Sequence, residues 1–116
     1  MDETISIKGK FRWLAQVVLG GLLVILLSIH LIVNHWVAPQ GLLTYDDVVR
    51  YYDYPGIALM EAMFLVIVTS HCLLGLHSIL LDLNLRPFAL RTLTQFLIIL
   101  GSITIIYGVY LIIKIM

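Results

Sequence analysis

Charge is what this sequence has least of. Seven basic and seven acidic residues make up 12% of the 116-residue chain, against roughly a quarter in soluble domains. The formal net charge is zero and the basic residues form no run, so composition gives no nucleic-acid partner. Cys72 is the single cysteine, which excludes an intrachain disulfide and leaves redox compartment unmarked. There are only three prolines, Pro39, Pro55 and Pro87, and each falls at the edge of an apolar run rather than inside one. A hydrolase triad, a phosphate loop and a cysteine or carboxylate pair at metal spacing are all absent.

Apolar residues, in contrast, are in excess: 61% of the chain, with a mean hydropathy of +1.05. A chain this short cannot bury that much apolar surface in a water-soluble core, so its solvent must be lipid. One domain, residues 1–116, is the expectation from length. Hydropathy divides it into three apolar runs, at about 11–37, 57–83 and 88–113, each long enough to cross a bilayer. The fold class expected is an all-α membrane protein of three transmembrane helices, part of a larger helix bundle. The first run follows Lys8, Lys10 and Arg12 but exceeds twenty residues and has no small-x-small ending, which makes it a retained span rather than a signal peptide.

Between the first two runs, Thr44 followed three positions later by Asp47 reads as the start of a short helix. Trp36, Tyr51, Tyr52 and Tyr54 suit an interfacial aromatic belt. Asn84-Leu85-Arg86-Pro87 reads as a tight turn, with Pro87 in the first turn of the third helix. Lys8, Lys10 and Arg12 fall on one side with Arg86 and Arg91, whereas the first loop offers Arg50 among three aspartates. The positive-inside rule therefore predicts the N-terminus and the second turn on the cytoplasmic or matrix side.

The second span is the most polar, with Glu61, Thr69, Ser70, His71, His77, Ser78 and Asp82. Such residues are costly in lipid and mark bundle interiors, cavities or cofactors, which predicts a central helix. His71 and Asp82 are eleven residues apart, close to three turns, and so share one face about 16 Å apart along the axis. Gly75 and Ser78 lie near the same line, forming a groove into which a planar ligand could fit. Two readings stand for His71: an axial ligand for haem iron, or a buried imidazole bonded to a neighbouring helix. Asp82 is either a quinone or proton contact, or a carboxylate paired with Arg86 or Arg91. His30 and His35 read as interfacial residues beside Trp36, with one of them also open to a second, outer haem through a partner chain. His77 reads as a packing or interhelix hydrogen-bonding residue and Glu61 as a paired or snorkelling acid.

His71-x3-Gly75-x6-Asp82, followed by Arg86-Pro87-x-Ala89-Leu90-Arg91, resembles the haem-helix signature of the membrane anchors of succinate dehydrogenase (complex II, succinate:quinone oxidoreductase). Of the two anchor chains in that family, it is most similar to the smaller, hydrophobic one. The likeness spans nearly the whole chain and includes the Gly41-Leu42-Leu43-Thr44-Tyr45 connection. It implies that His71 is an axial ligand of haem b, that Asp82 and, beside it, Ser78 belong to a haem and quinone pocket, and that His30 could serve a second haem. It further implies ubiquinone or menaquinone as acceptor, and as partners a second cytochrome b anchor, an iron–sulfur subunit and a flavoprotein subunit. The chain would then be a non-catalytic subunit of an oxidoreductase complex in a bacterial or archaeal cytoplasmic membrane or a mitochondrial inner membrane. The pattern departs at Leu83, where the family often has tyrosine. It departs again at Val17, after Trp13-x-x-Gln16, where many members have arginine. A fumarate reductase anchor and a haem-free structural or assembly subunit are the alternatives.

Overall fold

A computed structural model describes residues 3–38, 41 and 43–116, with the side chains of 3–5 and 37 left aside. Pro39, expected to help end the first span, and Leu42 of the first connection lie outside the described residues. Among the described residues four helices follow in order: α1 (Glu3–Val37), α2 (Tyr45–Tyr52), α3 (Pro55–Asp82) and α4 (Pro87–Ile115). Three are long and apolar enough to cross a membrane, over Ser6–Trp36, Pro55–Asp82 and Pro87–Ile115. The bundle measures 55 × 25 × 23 Å, and its long axis exceeds the roughly 30 Å of a bilayer's hydrocarbon core.

Helix ends follow local rules. α1 starts at Glu3, about two turns before the predicted span, because residues 3–10 hold no proline and a single Gly9 costs a long helix only about 1 kcal/mol. α2 begins with a capping box: Asp47 N–H donates to Thr44 Oγ1 at 3.3 Å, and Thr44 N–H to Asp47 Oδ2 at 3.0 Å. Pro55 and Pro87 occupy first-turn positions of α3 and α4, where a missing N–H leaves no bond unmade. Asn84 follows the Leu83 cap with φ of 49°, the left-handed position that asparagine tolerates after a helix.

α3 packs against both α1 and α4, and α2 lies on α3 and α4. The polar middle span is therefore the central one, as its inventory predicts. Little is sealed from solvent: among the described hydrophobic residues only Tyr51 and Ala58 are buried. Large apolar side chains such as Phe11, Ile25, Ile98 and Ile106 stand exposed on the outer helices, the surface that lipid or another apolar chain covers. The α3–α4 seam is set by glycine. A Cβ at Gly101 would collide with Leu73, and one at Gly108 with Leu65. Hydroxyls on exposed turns of α4 are satisfied by back-bonding four residues earlier, Ser102 to the Ile98 carbonyl and Thr104 to that of Leu100.

Candidate functional site

α1 and α3 run antiparallel, and their polar residues meet in register along the seam. Arg12 Nη1 lies 3.2 Å from His77 Nδ1. Guanidinium only donates, so His77 accepts on Nδ1 and carries its proton on Nε2. One turn further, Gln16 lies against Gly75, its Nε2 3.2 Å from where a Cβ would stand. Next, Gly20 receives His71: a Cβ there would be 3.3 Å from His71 Cε1 and 3.8 Å from Nδ1. At the α2 end of the seam, His30 Nδ1 lies 2.7 Å from Glu61 Oε1.

His71 is half-buried and its ring makes no hydrogen bond among the described residues. Nδ1 is sealed in the seam without a partner, while Nε2 is not among the sealed atoms and lies beyond 4 Å of the Gly20 position. An imidazole whose Nε2 is neither sealed nor hydrogen-bonded among the described residues fits the donor set of a haem iron ligand. The groove expected along the His71 stripe is filled at Gly75, whose small size admits Gln16 from α1. Further along the stripe, Ser78 is exposed and its hydroxyl donates to the Leu74 carbonyl at 2.9 Å.

Asp82 is the last residue of α3 and is exposed. Among the described residues it forms no ion pair with Arg86 or Arg91, since the one salt bridge there is His30–Glu61. Its carboxylate is thus available to an incoming group. The three turns of helix between His71 and Asp82 keep the two apart, as the spacing requires. Apolar clefts open beside this half of α3. One, of 230 Å³, is lined by Leu73, Leu74, His77, Thr94, Leu97 and Ile98.

At the α2 end, a network appears whose membership the spacing along the chain did not foretell. Glu61 Oε1 accepts from both His30 Nδ1 (2.7 Å) and Tyr51 Oη (2.6 Å). Asn34 Nδ2 donates to His30 Nε2 at 3.0 Å, and the His30 ring stacks on Phe64 at 5.2 Å between centroids. Both nitrogens of His30 are therefore engaged, and a metal could take one only by displacing Asn34 or Glu61. Burial, then the Glu61 hydrogen bond and charge, push the Tyr51 hydroxyl well above its ordinary pKa, and burial with the Glu61 charge raises that of Tyr52. Tyr51 stays protonated and remains a donor. The i, i+4 spacing of His30 and Asn34 was visible in the sequence, but Glu61 and Tyr51 join them only through tertiary register. His35 is exposed and outside this network. No group of three or more histidine, cysteine or acidic side chains is placed to hold a metal ion among the described residues.

Two curated archaeal proteins share this architecture's sequence almost end to end. The succinate dehydrogenase hydrophobic membrane anchor subunit of Archaeoglobus fulgidus is 30% identical over 118 aligned residues, covering 99% of this chain and 97% of that one. The chain belongs to the succinate dehydrogenase hydrophobic membrane anchor family. The protein of the same name from Thermoplasma acidophilum is 31% identical over 112 residues, covering 96% of this chain and 91% of its own. No family model matches the chain, and no solved structure matches it. Family membership and three long apolar helices together make the chain an integral membrane protein.

Proposed function

We propose that this anchor ligates haem b through His71 and contributes Asp82 to the site where quinone is reduced with electrons from succinate. The observation that carries the proposal is the state of the histidines. Of the three half-buried ones, His30 has both nitrogens engaged and His77 accepts from Arg12, whereas His71 has no partner among the described residues. A mid-span imidazole left unbonded is costly unless something else takes its lone pair. When bound, haem b supplies a one-electron redox centre within the bilayer.

On this reading Asp82 stands at the membrane rim, where its carboxyl group, protonated from the aqueous side, would donate a hydrogen bond to a quinone oxygen and deliver that proton to it. Ubiquinone and menaquinone both offer such an oxygen. Arg12, Arg86 and Arg91 gather at the Asp82 end of the bundle, since the Arg12–His77 bond ties the N-terminal half of α1 to the last turns of α3. That clustering supports a cytoplasmic or matrix-side placement for the N-terminus and Asp82. A flavoprotein and an iron–sulfur subunit would dock there, and a second cytochrome b anchor would cover the exposed apolar faces of α1 and α4 and supply what this chain lacks around the haem. The chain itself carries no succinate chemistry.

A second reading has one observation in its favour: the ring of His71 is seated closely on Gly20, as a packed histidine of a haem-free anchor or assembly subunit would be. A reduced-minus-oxidised optical spectrum of the purified complex separates the two. Wild type should show b-type absorbance that His71→Ala loses while the subunits stay assembled. Equal absorbance in both would remove His71 as ligand.

A further inference from the structure

A cleft of 590 Å³ opens on the N-terminal flank of α1, lined by Ile7, Lys8, Phe11 and Arg12. Lys8 and Arg12 are four residues apart, as are Ile7 and Phe11, so a cationic pair and an apolar pair stand side by side on one helix. All four side chains are exposed. Arg12 lies opposite His77 across the antiparallel seam. Going back from Arg12 to Lys8 covers about 6 Å of rise, and going on from His77 to Asp82 about 7.5 Å. The cleft therefore stands level with the Asp82 end of α3, at the membrane rim.

Neither cation is matched by an acid. The salt bridge among the described residues is His30–Glu61, so Lys8 and Arg12 pair with no carboxylate there, Asp82 included. Lys114, at the other end of the bundle, has a partner in its own helix: its ammonium lies over the Tyr110 ring, 5.9 Å from the centroid. Arg12 gives one N–H to His77 Nδ1 and keeps its other donors for a ligand. That bond also holds the guanidinium in place, so little rotamer freedom is left to lose when an anion arrives. A small water-soluble anion would match the cations and leave Ile7 and Phe11 bare, and a hydrocarbon chain would do the reverse. An anionic head joined to an apolar chain covers both pairs at once.

We infer that this cleft binds an anionic membrane lipid, its phosphate held by Lys8 and Arg12 and the first carbons of its chains lying against Ile7 and Phe11. The inference is independent of the haem and quinone readings of His71 and Asp82. The planar fork of arginine suits two phosphate oxygens, whereas lysine adds a point charge. Each basic residue at a membrane surface gains roughly fivefold in affinity for anionic lipid. Because Arg12 is also bonded to His77, a bound lipid braces the α1–α3 seam at its Asp82 end.

The test titrates the purified, delipidated complex in detergent with phosphatidylglycerol or phosphatidylcholine and counts bound lipid by native mass spectrometry. Wild type should hold phosphatidylglycerol more tightly than phosphatidylcholine, at a site that Lys8→Gln weakens about fivefold. Arg12→Gln should weaken it at least as much, and Arg12→Lys, which keeps the charge but not the fork, by less. Lys8→Gln decides the matter even where Arg12→Gln fails to assemble, because Lys8 is exposed and takes no part in the Arg12–His77 bond. Inorganic phosphate at the same concentration should leave the lipid bound; displacement by it would make this a site for a free anion and overturn the inference. Equal phosphatidylglycerol binding in wild type and Lys8→Gln would overturn it as well. So would loss of the iron–sulfur subunit from the Lys8→Gln complex, which would make the cleft a protein contact.

Discussion

Tyr51 on α2 donates a 2.6 Å hydrogen bond to Glu61 on α3, and this bond fastens the short amphipathic helix to the bundle. Glu61 Oε1 takes a second donor, His30 of α1, so one carboxylate oxygen joins three elements. Hydrogen bonds to charged acceptors contribute about 1.5–3 kcal/mol. Tyr51→Phe should therefore destabilise the assembled complex by about that amount, seen as a lower thermal transition in detergent. Glu61→Ala should cost more, because it strands Tyr51 and His30 together. Equal effects of the two variants would mean that the carboxylate is not the hub.

The capping box of α2 gives a pH dependence of known sign. Hydrogen bonds from the Thr44 backbone and then its side chain hold the Asp47 carboxyl below its ordinary value of 3.8, helped by Arg50. A group with a depressed folded-state pKa contributes stability that is present above the unfolded value and fades as pH falls below it. The Thr44–Asp47 cap should hold at neutral pH and weaken below about pH 4. Amide exchange in the first turn of α2 is the readout. Asp47→Asn should exchange faster at neutral pH and show a flatter acid response than wild type.

The α3–α4 seam makes a steric prediction. Gly101 meets Leu73 so closely that a methyl group has no room. Overpacking of this kind costs about 1–3 kcal/mol, so Gly101→Ala should lower the thermal transition. Trimming the opposing side chain in Gly101→Ala with Leu73→Ala should recover part of the loss. If the double variant is no more stable than the sum of the two single ones, the helices do not meet at these residues.

Much of this architecture was legible because it is local. Thr44 caps α2, Pro87 opens α4 and Asn84 turns between helices for reasons contained within four residues of chain. The polar inventory of α3 was enough to predict its central position. Seams were harder. Glu61 reads as a paired or snorkelling acid, but its partners lie 31 residues earlier and 10 residues earlier in the chain, and only antiparallel register brings His30 and Tyr51 to one oxygen. Gly75 reads as clearance for a ligand, since a small residue on a helix face does not tell which neighbour fills it; here it is Gln16. Gln16 is a lone amide in an apolar stretch, and nothing local in the sequence tells that its oxygen is sealed in the seam.

Asp82 is where chemistry and stability can be separated most cleanly. It ends α3 exposed and without an ion pair among the described residues, so replacing it should cost the fold little, within about 0.5 kcal/mol for a surface site of this kind. If its carboxylate hands a proton to quinone, its loss should matter at the scale of general acid catalysis, on the order of 100-fold. Asp82→Leu should then depress succinate:quinone activity while succinate oxidation by an artificial dye acceptor continues. Asp82→Asn, which keeps a hydrogen bond but cannot deliver a proton, should fall with Leu if proton delivery matters and recover toward wild type if only positioning does. Leu83, exposed beside it, has no hydroxyl that could share that task. Unchanged quinone turnover in Asp82→Leu would remove Asp82 from the site altogether.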